Sequence, residues 1–397
     1  MTTMLSTDTL PRLRIAEVLV SDAWGSIDID RINQKGLGGR ETAVIRLAQE
    51  WAKAGHWVEI FCPVEQPLVW HPPEGDGVVE FIDIRAAQAI LSATKRDVIV
   101  SWEETTLFGL HDVCANSLVR LVGMQVAHCV SLRPEHTPGI TGWVCLSDWA
   151  ADFLCDFSNN LIARDDVHVV PNGVDMKRYP FVYSPREKIS NKTFLYSSSP
   201  DRGLHHLLSA WPTIRKEIPG AELNVCYGLD KYLAAARWGH NYQGEIALQI
   251  EHGIKQSGVV NHGLVGQNAL AELQSMATLV PYPCDTAIAT ETGCITVTEA
   301  LAAGTPVVTT DCDCLPSEYG DVARIVNLPF DTDRFVGSMM EIIEDTDVYL
   351  GMQLIGRKFA EERTWEKTSQ RWLSVIAGLL NITEASPSTS TSRSISN

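Results

Sequence analysis

The chain has 397 residues with 32 Lys and Arg against 49 Asp and Glu, a formal net charge of −17. That balance argues against nucleic acid as the main partner, because phosphate backbones are gripped by clustered cations, and with no polybasic patch it argues equally against stable membrane binding. At 45% hydrophobic and 20% charged residues the chain is neither disordered nor membrane-embedded in bulk, and its length predicts two domains.

From the start, Met1 to Thr9 lacks the cationic and apolar stretches of a signal peptide, so the expected location is cytoplasmic. Leu13 to Ser21 is predicted as the first strand, and Glu41 to Ala54, with Val44, Leu47, Ala48 and Trp51 on one face and Gly55 behind it, as the first helix. Strands are predicted at 58–62, 79–84, 97–102, 125–129, 143–147 and 167–170. Asp175 to Asn191 is taken as a connector, after which the alternation restarts. Strands are predicted at 192–198, 222–227, 259–265, 278–283 and 306–310, and helices at 203–217, from near Asp230, at 267–277 and at 297–303. The text ends in a helix from Trp365 and a Ser/Thr-rich tail.

Strands alternating with helices predict an α/β architecture of two doubly wound, Rossmann-like domains facing a central cleft. The expected division is an N-terminal tail at 1–11, a first domain at 12–182, a second at 183–364, a C-terminal helix at 365–382 and a disordered tail at 383–397. Ligands of such sheets bind beyond the carboxyl ends of the strands, so chemistry is sought in those loops. The ten cysteines are scattered singly through apolar segments, and Cys312-Asp313-Cys314 fits neither a zinc knuckle nor a redox pair, so no metal is expected.

The most specific segment runs from Glu291-Thr292-Gly293-Cys294 through Glu299 to Ala303-Gly304-Thr305-Pro306. It places one carboxylate before a helix and one inside its first turn, around amides at Thr292 and Gly293 that suit an anion. Glu299 could instead close a capping box with Thr296. A second segment, Ser197-Ser198-Ser199-Pro200-Asp201-Arg202-Gly203, joins a strand to a helix and offers Arg202 to a diphosphate, unless that side chain simply pairs with Asp201 or Glu217. Third, Gly38 and Gly39 precede the first helix, where paired glycines let the backbone approach phosphate or merely make a turn. His128 ends the run Gln125-Val126-Ala127, and Trp24, Trp102 and Glu103 lie at other strand ends. Each has core packing as its alternative.

With Val169-Val170-Pro171-Asn172-Gly173-Val174-Asp175, these segments resemble the GT-B glycosyltransferases of the retaining GT4 family, from about Arg12 to Leu380. The resemblance implies a metal-independent hexosyltransferase whose donor is a nucleoside-diphosphate sugar and whose acceptor is a glycan, small molecule or protein, with no separate cofactor. It implies catalytic roles for Glu291, Arg202 and His128, ribose binding by Glu299, and donor contacts from Gly38, Gly39, Ser197, Thr292 and Gly293. Family members carry two cations where this chain has Ser197 and Arg202, so one positive charge is missing. A catalytically silent sugar-nucleotide-binding protein, or a GT-B hydrolase or epimerase, is the alternative.

Overall fold

The computed structural model describes residues 10–20, 25–129, 131–230, 233, 242–286 and 289–385. Trp24, part of the helix expected near Asp230, nearly all of the expected N-terminal tail and most of the expected C-terminal tail lie outside the described residues.

In the first domain β1 (Arg14–Val18), β2 (Trp57–Cys62), β3 (Leu68–Trp70), β4 (Val78–Asp83), β5 (Arg96–Trp102), β6 (Ser117–Gly123), β7 (Gly142–Cys145) and β8 (Val167–Val169) form one sheet, ordered β3-β4-β2-β1-β5-β6-β7-β8. All pairs are parallel except β3 with β4. Alternate side chains enter two separate cores: Ile15, Val98 and Val100 pack on one face, and Ala16, Val18 and Ile99 on the other. Burial on both faces explains why the central residues of these strands, such as 98–100 of β5, are apolar in succession.

The second domain carries β9 (Thr193–Tyr196), β10 (Glu222–Val225), β11 (Val259–Asn261), β12 (Val280–Tyr282), β13 (Val307–Thr310) and β14 (Arg324–Val326). Two parallel ladders, β11-β10-β9 and β12-β13-β14, meet where Phe194 bridges Leu279. Strand order therefore reverses between β9 and β12, the place where open α/β sheets leave a crevice for a ligand. The segments holding Arg202 and Glu291 follow those two strands.

Three expectations need correction. Residues 125–129 are not a strand: the preceding strand is β6, and the chain bends after Met124 donates to the Val144 carbonyl at 2.8 Å. Arg120 at the centre of Ser117–Gly123 interrupts the apolar run that would have marked β6. The connector contains a helix, Pro185–Asn191, started by a Ser184–Glu187 capping box and anchored by buried Lys188, whose ammonium donates to the Ser275 carbonyl and to Thr305 Oγ1, both at 2.6 Å. The last helix, Trp365–Ala385, is longer than expected and packs on the first domain, with the Trp372 ring 5.9 Å from Trp51 and 5.6 Å from Trp102. The chain thus crosses between domains twice, at two adjacent places: Val174 bridges Thr364, and Val174 N donates to the Arg363 carbonyl at 2.8 Å.

Candidate functional site

Between the domains lies a cavity of about 380 Å³ lined by both. Glu291, 1% exposed, points into it from the loop after β12. The Asp313 carboxylate accepts the backbone N–H groups of Thr290 and Glu291 at 3.1 and 3.0 Å, which fixes the loop. The Glu291 side chain accepts from the Tyr282 hydroxyl and from Arg202 Nη1, the latter at 3.0 Å. Burial first, then neighbouring Cys284 and Glu291, push the Tyr282 phenol well above its ordinary range, so it stays protonated as a donor. Burial disfavours charge on Arg202, but Glu291 and its neighbours outweigh that and raise its pKa. Pairing of Arg202 with Asp201 or Glu217 is not what forms.

Arg202 is aimed by the residue after it. Gly203 has φ +91°, and a Cβ there would lie 1.8 Å from the Pro283 carbonyl oxygen. No side chain fits. We predict that Gly203→Ala costs about 2 kcal/mol or more in stability and, by displacing Arg202, weakens binding of an anionic ligand in the cavity. Urea melts and titration calorimetry check this; a variant with wild-type stability and affinity would contradict it.

Ser197 Oγ and Arg202 Nε are buried at the cavity without a hydrogen-bond partner among the described residues. Buried polar groups left open in this way invite a ligand acceptor or donor. Two helices also begin at the cavity with no side-chain cap, Gly39–Lys53 after Gly38 and Ile295–Ala302 after Cys294. Their first amides and dipoles favour an anion between them.

Not every expected residue converges here. Glu299 lies beyond the first turn of its helix and does not line the cavity. Its carboxylate accepts from Arg178 Nη1 at 2.8 Å and from Gln274 Nε2 at 3.1 Å, so the interior of the protein occupies both oxygens. Its capping box is not formed either, because Thr296 Oγ1 donates to the Ser197 carbonyl at 3.2 Å. His128 is half-buried in the loop after β6, its ring 5.4 Å from that of Phe157, and it is not among the lining residues. Thr292 lines the cavity but spends its hydroxyl on the Gln125 carbonyl of the first domain at 2.8 Å, while its own carbonyl accepts from Ser147 Oγ at 2.8 Å. Gly293 is required for a different reason: a Cβ there would stand 2.7 Å from Leu146 Cβ, where the domains touch.

The sequence reading placed Glu103 at a strand end but gave it no partner, and it gave Arg40, Gln125 and Asn172 no role in the site. Arg40 and Glu103 form an ion pair at 2.6 Å on the first-domain wall, and Gln125 and Asn172 exchange amide hydrogen bonds at 3.1 and 2.8 Å beside it. Asn172 stood inside a turn motif and Arg40 beside the glycines, but neither had a sequence signal naming its partner. A larger cavity of about 930 Å³ lies at the far end of helix Gly39–Lys53, against the crossover residues Val174, Asp175 and Thr364. The segments carrying Arg202, Glu291 and the paired glycines line the smaller cavity and not this one, which makes the smaller cavity the candidate site. Among the described residues no three His, Cys, Asp or Glu side chains are grouped to hold a metal ion, and no helix is long and apolar enough to cross a membrane.

Residues 186–358 match the family model described as glycosyl transferases group 1. An MMP alpha-(1->4)-mannosyltransferase of Mycolicibacterium hassiacum is 27% identical over 233 residues, 57% of this chain and 51% of that protein; the match thus spans about half the length of this curated relative. Sucrose-phosphate synthase from Thermosynechococcus elongatus superposes with a TM-score of 0.67 at 15% identity, over 94% of this chain and 100% of that one. The Anabaena protein HepE in complex with UDP and glucose gives a TM-score of 0.66 at 14% identity, over 92% of this chain and 100% of that one. The chain therefore has the two-domain GT-B fold, and residues 186–358 of its second domain are similar to glycosyl transferases group 1.

Proposed function

We propose that the protein is a glycosyltransferase that binds a nucleoside-diphosphate sugar in the interdomain cavity and moves the sugar to an acceptor hydroxyl with retention of anomeric configuration. One observation carries it: the Arg202–Glu291 pair, with open polar atoms on Arg202 and Ser197, sits where two uncapped helix starts converge. HepE, which shares the fold, is known in complex with UDP and glucose, which supports a nucleotide-sugar donor here.

In this reading Arg202, Ser197 and the amides after Gly38 and Cys294 hold the diphosphate and stabilise the charge that develops as it departs. Glu291, oriented by Tyr282 and Asp313, accepts hydroxyls of the donor sugar rather than attacking it. Contacts between the domains, such as Thr292 with Gln125, exclude water from the reacting bond. Ser197 in place of a second cation leaves Arg202 as the main positive charge on the phosphates.

A panel of UDP-, GDP- and ADP-sugars tested by thermal shift identifies the donor, because a ligand at about 100 times its Kd raises apparent stability by about 2.7 kcal/mol. Turnover with that donor and pooled hydroxyl acceptors is then followed in EDTA, with the anomeric product assigned by NMR. A retained anomer formed in EDTA is the expected result. Nucleotide release without a glycosylated product would instead favour the hydrolase alternative, and an inverted anomer would remove the retaining mechanism.

A further inference from the structure

Resting on that reading, we infer that Gln125 is a positioning residue: it ties the chain entering the domain crossover to the loop that carries Glu291, and through Thr292 it holds the first domain where sugar transfer outruns attack by water.

Among the described residues, the hydrogen bonds that fix Glu291 come from its own domain. Its N–H donates to Asp313 at 3.0 Å, its carbonyl accepts from the Cys314 N–H at 3.2 Å, and its carboxylate accepts from Arg202 and Tyr282. The next residue is fastened to the other domain. Thr292, 2% exposed, donates its hydroxyl to the Gln125 carbonyl and accepts Ser147 Oγ on its own carbonyl, both at 2.8 Å. Gln125 and Ser147 stand on the loops after β6 and β7. The seam between the domains therefore runs directly beside Glu291, and a gap there would admit water to the reacting bond.

Gln125 is the one of these residues that also reaches the crossover. Its side-chain amide exchanges hydrogen bonds with Asn172 at 3.1 and 2.8 Å, and its N–H donates to Glu103 Oε1 at 3.1 Å. Asn172 is buried two residues before Val174, which bridges Thr364. Between them Gly173 is packed so closely that a Cβ would lie 2.5 Å from the Trp365 backbone nitrogen. Gln125 thus fixes two points of the first domain at once, the chain entering the crossover and the seam with residues 291–293. Without its amide the crossover can shift without carrying the seam, and without the Thr292 hydroxyl the Gln125 carbonyl loses the donor that closes the seam.

The test uses the full chain saturated with the donor found by thermal shift and follows nucleotide release and glycosylated product with a working acceptor. The readout is the ratio of hydrolysis to transfer, because a protein that is merely less stable loses both alike. Thr292→Val keeps the branched shape without the hydroxyl, and Gln125→Met keeps the length without the amide. Each is expected to raise the ratio about tenfold, on the scale of one lost hydrogen bond, while Thr292→Ser stays close to wild type. Asn172→Ser, which removes the amide partner from the other side, carries the same expectation and guards against a folding failure of Gln125→Met. The double variant Thr292→Val with Gln125→Met should match the stronger single one, because both act on one connection. Wild-type ratios in the folded single variants overturn the inference, as does a double variant whose effect is the product of the two. Absence of both hydrolysis and transfer in the wild type defeats the glycosyltransferase reading itself, and this inference with it.

Discussion

Replacing Arg202 by alanine is expected to lower the rate of sugar transfer by about 10²–10³-fold, the range seen when one donor to a developing anion is removed from a desolvated site. In many sites a second cation would soften the loss. Here the corresponding position is Ser197, and the other charged groups among the described residues lining the cavity, Arg40, Glu41, Glu103 and Glu291, are already paired or negative. The variant also leaves Glu291, 1% exposed, without its guanidinium, though Tyr282 still donates to it. A modest stability loss of about 1–3 kcal/mol is therefore expected alongside the catalytic one. Arg202→Lys, retaining charge without the planar fork, should recover part of the rate, and Glu291→Gln should reduce kcat while the protein stays folded. Steady-state release of the nucleotide, with circular dichroism for folding, measures all three. Wild-type turnover in Arg202→Ala would remove Arg202 from the mechanism.

Glu299→Gln is expected to have the largest effect on stability, about 3–5 kcal/mol, because it leaves a buried cation uncompensated. Side-chain exposure is 7% for both Arg178 and Glu299, and the Arg178 guanidinium also donates to the Gln267 carbonyl. Burial works against the Arg178 charge, and Glu299, together with Tyr179 and Asp175, more than offsets it. Replacing both residues with methionine should restore much of the lost stability, since neither charge then remains buried alone. The same double variant addresses ribose binding. If Glu299 exchanges Arg178 for the nucleotide, stability returns but affinity for the free nucleotide does not. If its function is confined to the ion pair, both return. Denaturant melts and calorimetry with the free nucleotide distinguish these results.

Arg202 and Glu291 were legible in the sequence because each stands where a strand gives way to a helix, and local chain direction alone carries such residues to the carboxyl edge of a sheet; the paired glycines instead follow a short helix, Ile29–Gln34, that the sequence did not reveal. Glu299 was misleading for the opposite reason. Its fate depends on Arg178, 121 residues earlier in a stretch that looked like plain connector, and spacing along the chain says nothing about which distant cation arrives. The Arg40–Glu103 pair, 63 residues apart, was hidden in the same way. His128 was drawn toward the site by an apolar run that resembled a strand, but the ladder had already ended at Gly123 and the ring turned to Phe157. The alternation of strands and helices gave the two sheets readily. The return of the final helix to the first domain was not visible, because Trp372 has the same amphipathic context whichever domain receives it.

That return has a practical meaning for anyone recombining this protein with relatives. A simple head-to-tail fusion at the first crossover would strand Trp51 and Trp102 without the indole that covers them, exposing large aromatic surface and inviting aggregation. A working chimera has to be spliced twice, inserting the foreign half between Val174 and Thr364 and keeping the native terminus, so that the host supplies both ends of the chain.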